Sequence, residues 1–143
     1  MNLICDTSFV GHFLRREERP VGYESWGVDV LGWIEESPWA VSIVTVAEAR
    51  YGYLSSGWGN TRLAEAEARL RRFRWIPVRH RYVGEWARLR AASPRRGIAI
   101  GDNDLWIAAT ASVGERVLVT CDRDHQRIAP ELPVEVVFLA PPV

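Results

Sequence analysis

No lysine occurs anywhere in the 143 residues; all 18 basic side chains are arginines. That absence excludes chemistry that needs an amine at a fixed place: the phosphate-cradling lysine of a P-loop, a Schiff-base lysine, or the lysine of a phosphate-receiver site. Cysteine is scarce too. Cys5 and Cys121 each end an apolar run directly before an aspartate. Two thiols are too few for the disulfide framework of a small secreted domain, so both are expected to be free and buried. A zinc site needs more ligands at close spacing, and His125 is the only histidine near either cysteine in the sequence. No apolar run approaches the ~20 residues of a membrane span. The N-terminus carries no basic segment followed by an apolar core and a small-residue cleavage site. Cytoplasm, with no membrane partner, is the expectation.

At 48% apolar and 25% charged residues, the chain can bury a core of its own, and its length fits one domain over residues 1–143. Net charge is zero but unevenly spread. Residues 62–96 hold eleven arginines against Glu65, Glu67 and Glu85, whereas the remainder holds seven arginines against fifteen acids. Such asymmetry suits a protein that meets a polyanion at one place and a cation at another. A solvated helical face explains the basic stretch equally well.

Short apolar runs alternate with helical patterns, the signature of an α/β domain with a mostly parallel sheet. Strands are expected at Asn2–Cys5, Trp39–Val44, Trp75–Val78, Arg116–Thr120 and Val134–Leu139. Helices are expected at Val46–Leu54, Asn60–Phe73 (capped by Asn60), Arg81–Ala92, and from Asp102 or Asn103 through Ala111. Between Trp26 and Ser37, the residues Trp26, Val28, Val30, Leu31, Trp33 and Ile34 leave only a narrow polar face on any helix. Trp26, Val30 and Trp33 are therefore candidates for a partner surface.

Four acids stand at element ends. Asp6 follows the run LIC, Glu48 lies just after AVSIVT, Asp104 opens NDLWIAATA, and Asp122 follows RVLVT. In a parallel sheet such ends converge on one edge, where sites lie. Singly, each acid has a bland reading: Glu48 and Asp104 favour a helix N-terminus, while Asp6 and Asp122 cap whatever follows. Together they are four carboxylates from distant segments, whose mutual repulsion calls for a cation. Mg²⁺ and Mn²⁺ prefer carboxylate oxygens plus water. Thr7, Ser8 and Thr120 offer hydroxyls to hold the carboxylates or bound waters in place.

The motifs CDTS, SIVTVAEARYG, NDLWIAATA and LVTCDRD, in this order and spacing, resemble the PIN-domain family and, within it, VapC-type toxins of bacterial toxin–antitoxin pairs. The resemblance implies a three-layer α/β/α sandwich with a mostly parallel central sheet. It also implies Mg²⁺- or Mn²⁺-dependent endoribonuclease activity, a homodimer, and a cognate antitoxin as partner. Carried over, Asp6, Glu48 and Asp104 match the first three acids. The fourth is Asp122, with Asp124 as an alternative. Asp102 looks like a helix cap. His125 stands where relatives commonly have phenylalanine and is expected to be a packing variation. Attack by water would leave a 5′-phosphate and a 3′-hydroxyl.

RNA held near an acidic cleft needs compensating charge. The stretch RLRRFRWIPVRHR, residues 69–81, is expected to contact phosphates along the approach, Arg69 and Arg72 among them, with Arg95 and Arg96 bordering the site. Trp58, between two glycines, is either a base-stacking platform or a packing residue. Two readings stay open beside the toxin: a PIN-like RNA- or protein-binding module that does not cleave, and a housekeeping PIN ribonuclease without an antitoxin. A haloacid-dehalogenase-type phosphotransferase is disfavoured, because the second aspartate it wants two residues after the first is Ser8 here.

Overall fold

In the computed structural model, residues 2–15, 39–93 and 100–139 are described. Five of the residues singled out above fall outside them: Trp26, Val30 and Trp33 of the partner surface, and Arg95 and Arg96. The strands are β1 (Leu3–Cys5), β2 (Trp39–Ser42), β3 (Arg74–Ile76), β4 (Val117–Thr120) and β5 (Val136–Phe138). Among the described residues the α-helices are α1 (Thr7–Arg15), α2 (Ile43–Ser55), α3 (Asn60–Leu70), α4 (Val83–Ala92), α5 (Asp102–Val113) and α6 (Arg123–Ile128).

All strand pairs are parallel, in the order β3-β2-β1-β4-β5. Alternation along the buried strands sends side chains to both faces. Leu3 and Cys5 join Phe9, Val46, Tyr53 and Leu70 on one side, so α1, α2 and α3 cover that face. Ile4 joins Leu89, Leu105, Ala108 and Ile128 on the other, under α4, α5 and α6. This is the expected three-layer sandwich, with a central sheet that is wholly rather than mostly parallel. The small residues Ala108, Ala109 and Ala111 are entirely buried and let α5 lie close to the sheet.

Element ends differ from the expectations for local reasons. The second strand stops at Ser42 instead of Val44, because the Ser42 hydroxyl accepts the Val44 N–H at 3.1 Å and starts α2 early. Neither Asn60 nor Asp102 caps a helix. Extended glycines, Gly59 and Gly101, take the cap positions, so both polar residues open the helices themselves. β3 ends before Pro77, which has no N–H to give the ladder. Two helices were not anticipated, α1 and α6, and each begins at one of the singled-out aspartates.

The chain runs outward from β1 through β2 to β3, then returns to lay β4 and β5 on the other side. The crevice at such a reversal, outside the strands' C-terminal ends, is where open α/β sheets hold ligands. Here it lies between the ends of β1 and β4, which deliver Asp6 and Asp122.

Candidate active site

Asp6 follows β1 and caps α1. Its Oδ1 accepts the Ser8 hydroxyl at 2.7 Å and the Phe9 N–H at 3.0 Å. Its Oδ2 accepts the Thr120 hydroxyl and lies 2.6 Å from His125 Nδ1. A carboxylate offers about four lone-pair positions; here all are engaged, and the residue is 1% exposed. Burial alone would raise the Asp6 pKa, but the His125 contact and the other donors outweigh it and hold the carboxyl below its usual range.

Two hydroxyls lock the strand ends together as expected. Ser8 also accepts the Cys121 N–H at 3.1 Å, and Thr120 accepts the Asp122 N–H at 2.9 Å. Thr7 instead serves Glu48, donating to its Oε1 at 2.7 Å across the α1–α2 contact. Glu48 itself sits in the second turn of α2, half-buried.

Asp104 lies in the first turn of α5 with its side chain 31% exposed. Burial raises its pKa, and the negative charges of Glu48, Asp122 and Asp6 push it the same way, while His125 pulls it down. The four acids named from the sequence thus share one cleft. Asp122 also caps α6, its Oδ1 accepting the Asp124 N–H at 2.8 Å. Asp124 faces Arg127 at 3.5 Å, so the geometry favours Asp122 as the fourth acid.

The main correction concerns His125. Expected to be a packing variation, it is 1% exposed and spans the two principal acids. Nδ1 meets Asp6 Oδ2, while Nε2 lies 3.3 Å from the Asp104 carbonyl oxygen and 3.6 Å from its Oδ1. Burial works against a charged ring, yet the hydrogen bond and charge of Asp6, reinforced by Asp104, raise the His125 pKa. When protonated, the ring offsets part of the cluster's charge. A lone histidine three residues after Asp122 could have been suspected, since α6 turns the following residues back under the site.

The donor set fits a hard divalent ion: carboxylate oxygens gathered in a cleft and destabilised by one another. Glu48, Asp104 and Asp122 have oxygens not committed to the protein. Asp6 has none, so direct coordination by Asp6 requires Thr120 or His125 to give way. Among the described residues, no three acid or histidine side chains surround one point closely enough to hold an ion as they stand. Rotation of carboxylates must therefore accompany binding. The thiols take no part: both cysteines are free and buried, and burial together with Asp6 pushes Cys121 up to about 12.

Other expected contacts fall elsewhere. Trp58 stacks on Tyr53 at 5.6 Å, and the Arg62 guanidinium covers its ring at 3.8 Å. These contacts make Trp58 part of the packing against the core. Arg69 and Arg72 stand where α3 ends and the chain enters β3. In a parallel sheet that is the edge opposite the carboxylates, so these two arginines do not border the approach to the cleft.

Comparison with known proteins agrees with this architecture. The chain is 33% identical over 101 residues to Ribonuclease VapC5 of Mycobacterium tuberculosis, covering 68% of this chain and 74% of the relative. The solved structure of VapBC-5 from Mycobacterium tuberculosis, a member of the VapBC family of toxin-antitoxin systems, superposes with a TM-score of 0.68. It is 26% identical and covers 96% of this chain and 98% of that one. VapBC2 from Rickettsia felis, bound to a DNA fragment from its promoter, gives a TM-score of 0.78 at 21% identity, with 97% and 99% coverage. The PIN domain profile matches residues 3–130, and the chain belongs to the PIN-domain family.

Proposed function

We propose that this protein is a VapC-type endoribonuclease toxin that hydrolyses RNA phosphodiesters with a Mg²⁺ or Mn²⁺ ion held by Glu48, Asp104 and Asp122. The observation that carries the reading is the gathering of Asp104 with Glu48, Asp122 and Asp6 from separate segments, faced among the described residues by one histidine whose Nε2 lies 3.6 Å from Asp104 Oδ1. Structural packing has no use for such a cluster. A catalytic cation does, and the likeness to a ribonuclease supports RNA as the substrate.

When bound, the ion supplies an activated water and offsets charge on the scissile phosphate. The protein does the rest. Asp104 projects from the first turn of α5 into the half-open mouth of the cleft, where it can meet solvent and substrate. Thr7 orients Glu48, and the α6 cap orients Asp122. Asp6 is the buried anchor: through Ser8, Thr120 and His125 it fixes the ends of β1 and β4 and the position of the imidazole. If Asp6 enters the coordination shell, His125 is the partner it exchanges.

The finer expectations follow the same reading. The antitoxin docks on the segment bearing Trp26, Val30 and Trp33, and Arg95 and Arg96 contact RNA phosphates. A homodimer would use apolar surface such as Tyr51 and Leu54 on α2, which are 73% and 69% exposed. The deciding experiment incubates purified protein with labelled RNA under Mg²⁺, Mn²⁺ or chelator. Cleavage should need the ion, leave 5′-phosphate ends, and vanish in Asp104→Asn. Equal cleavage by that variant, or undiminished cleavage in chelator, sinks the proposal.

A further inference from the structure

At the opposite edge of the sheet, Arg74, Arg79, Arg81 and Arg116 line a hollow of about 360 Å³, together with Trp75 and Tyr82. No acid lines it. Two of the guanidinium groups are held in place. Arg81 donates to the Tyr82 hydroxyl at 3.2 Å and lies 5.1 Å from its ring, and Tyr82 is fully buried. Arg116 donates to the Thr110 carbonyl at the end of α5 at 3.3 Å. Arg74 and Arg79 are exposed, and their guanidinium groups form no hydrogen bond or ion pair with any described residue.

Four cations around one acid-free hollow repel one another unless an anion sits among them. Guanidinium forks match phosphate oxygens and carboxylates alike. Four of them exceed what a single peptide carboxylate can satisfy, whereas a nucleic-acid strand brings one charge per nucleotide. We propose that this hollow is a second phosphate-binding site, taking the backbone of an RNA substrate at a point remote from the cleft.

Remoteness follows from topology. Arg116 immediately precedes β4 and Asp122 lies two residues beyond it, so roughly 20 Å of extended chain separates them at about 3.3 Å per residue. A stacked strand places a phosphate about every 3.4 Å, so about six nucleotides are needed to reach both places. The site therefore selects long or folded RNA over short fragments. This inference rests on the ribonuclease reading for its ligand but not for its test.

The test uses the full chain. In an Asp104→Asn background, which binds without turnover, a 20-nucleotide RNA is titrated against protein with and without Arg79→Gln/Arg81→Gln at several salt concentrations. The expected result is about tenfold weaker binding and a salt slope lower by about 1.4, two phosphates at ~0.7 each. With Asp104 restored, cleavage of a trinucleotide should be unchanged by the same pair. Unchanged 20-mer affinity and slope overturn the site. Equal losses on the trinucleotide also overturn it, by placing these arginines at the cleft. Undiminished RNA binding with lost binding of a polyglutamate probe would assign the hollow to an acidic protein instead. A wild-type protein that cleaves no RNA would sink the ribonuclease reading, while the binding titration still decides the hollow.

Discussion

The floor and the rim of the cleft are built on opposite terms. The floor is formed by buried Asp6, Thr120 and His125 with half-buried Ser8, joined by hydrogen bonds. The rim, formed by Glu48, Asp104 and Asp122, is half-exposed and keeps uncommitted oxygens. Floor residues have their interactions already and hold the fold in register. Among the rim residues, Asp104 is opposed by the charges around it, which a bound cation would relieve. Identical side-chain chemistry thus divides into an anchoring role and a binding role according to burial.

The sharpest way to break this division is to remove one acid from each region. Asp104→Asn should lower metal-dependent cleavage by on the order of 10³-fold, about 4 kcal/mol of barrier. It should leave the metal-free protein as stable as the parent or more so, because it removes a charge that three neighbours oppose. Asp6→Ala should also lose cleavage, and in addition about 3–5 kcal/mol of stability, since it strands a buried histidine. Thermal melts without metal separate the two. Equal destabilisation by both variants would erase the distinction between floor and rim.

The next test is the pH dependence of the metal-free fold. His125 is raised by Asp6, so its contribution is complete below the unfolded histidine value of ~6.5 and is lost as pH rises through its higher folded value. Asp6 is lowered, so its contribution is present above ~3.9 and is lost as pH falls through its folded value. Asp104 is raised, so ionising it costs stability as pH rises from ~3.9 through its folded value, a loss separate from the alkaline decline set by His125. The melting temperature should therefore peak on the acid side of neutrality and fall by a few degrees towards pH 9. In His125→Phe the alkaline fall should shrink, while stability at pH 6 drops because Asp6 loses its partner. A flat profile in the parent protein would mean that the imidazole is not charged in the floor.

How much of this was legible beforehand depends on the range of the contacts involved. Asp6, Glu48, Asp104 and Asp122 announce themselves locally, because an acid after an apolar run marks a strand end and parallel strands share an edge. The two missed helices left local signals too: Asp6 and Asp122 each accept an N–H two or three residues on, as capping aspartates do. Arg69 and Arg72 were assigned to the approach on charge, and charge carries no position. A residue between α3 and β3 must lie at the edge where strands begin, which the alternation of elements already implied. For His125, its place three residues past Asp122 was a local hint, but its partner Asp6 lies 119 residues away, and that pairing has no local signal.

The smallest expected effect concerns Trp58, whose exposed setting between glycines invited a nucleic-acid role. Tyr53 and Arg62 both pack against its ring, and Gly57 before it takes a positive φ of 67° that a side chain would strain. Replacing Trp58 with alanine removes a stacked ring from the edge of the core beneath α2 and α3, an estimated loss of about 1–2 kcal/mol at a half-buried position. RNA affinity should stay within twofold of the parent, measured in the Asp104→Asn background so that turnover does not intervene. Loss of affinity with no loss of stability would return Trp58 to the binding surface. It would also show that the acidic cleft recruits its substrate through aromatic contacts on the α2–α3 side, and not through arginines alone.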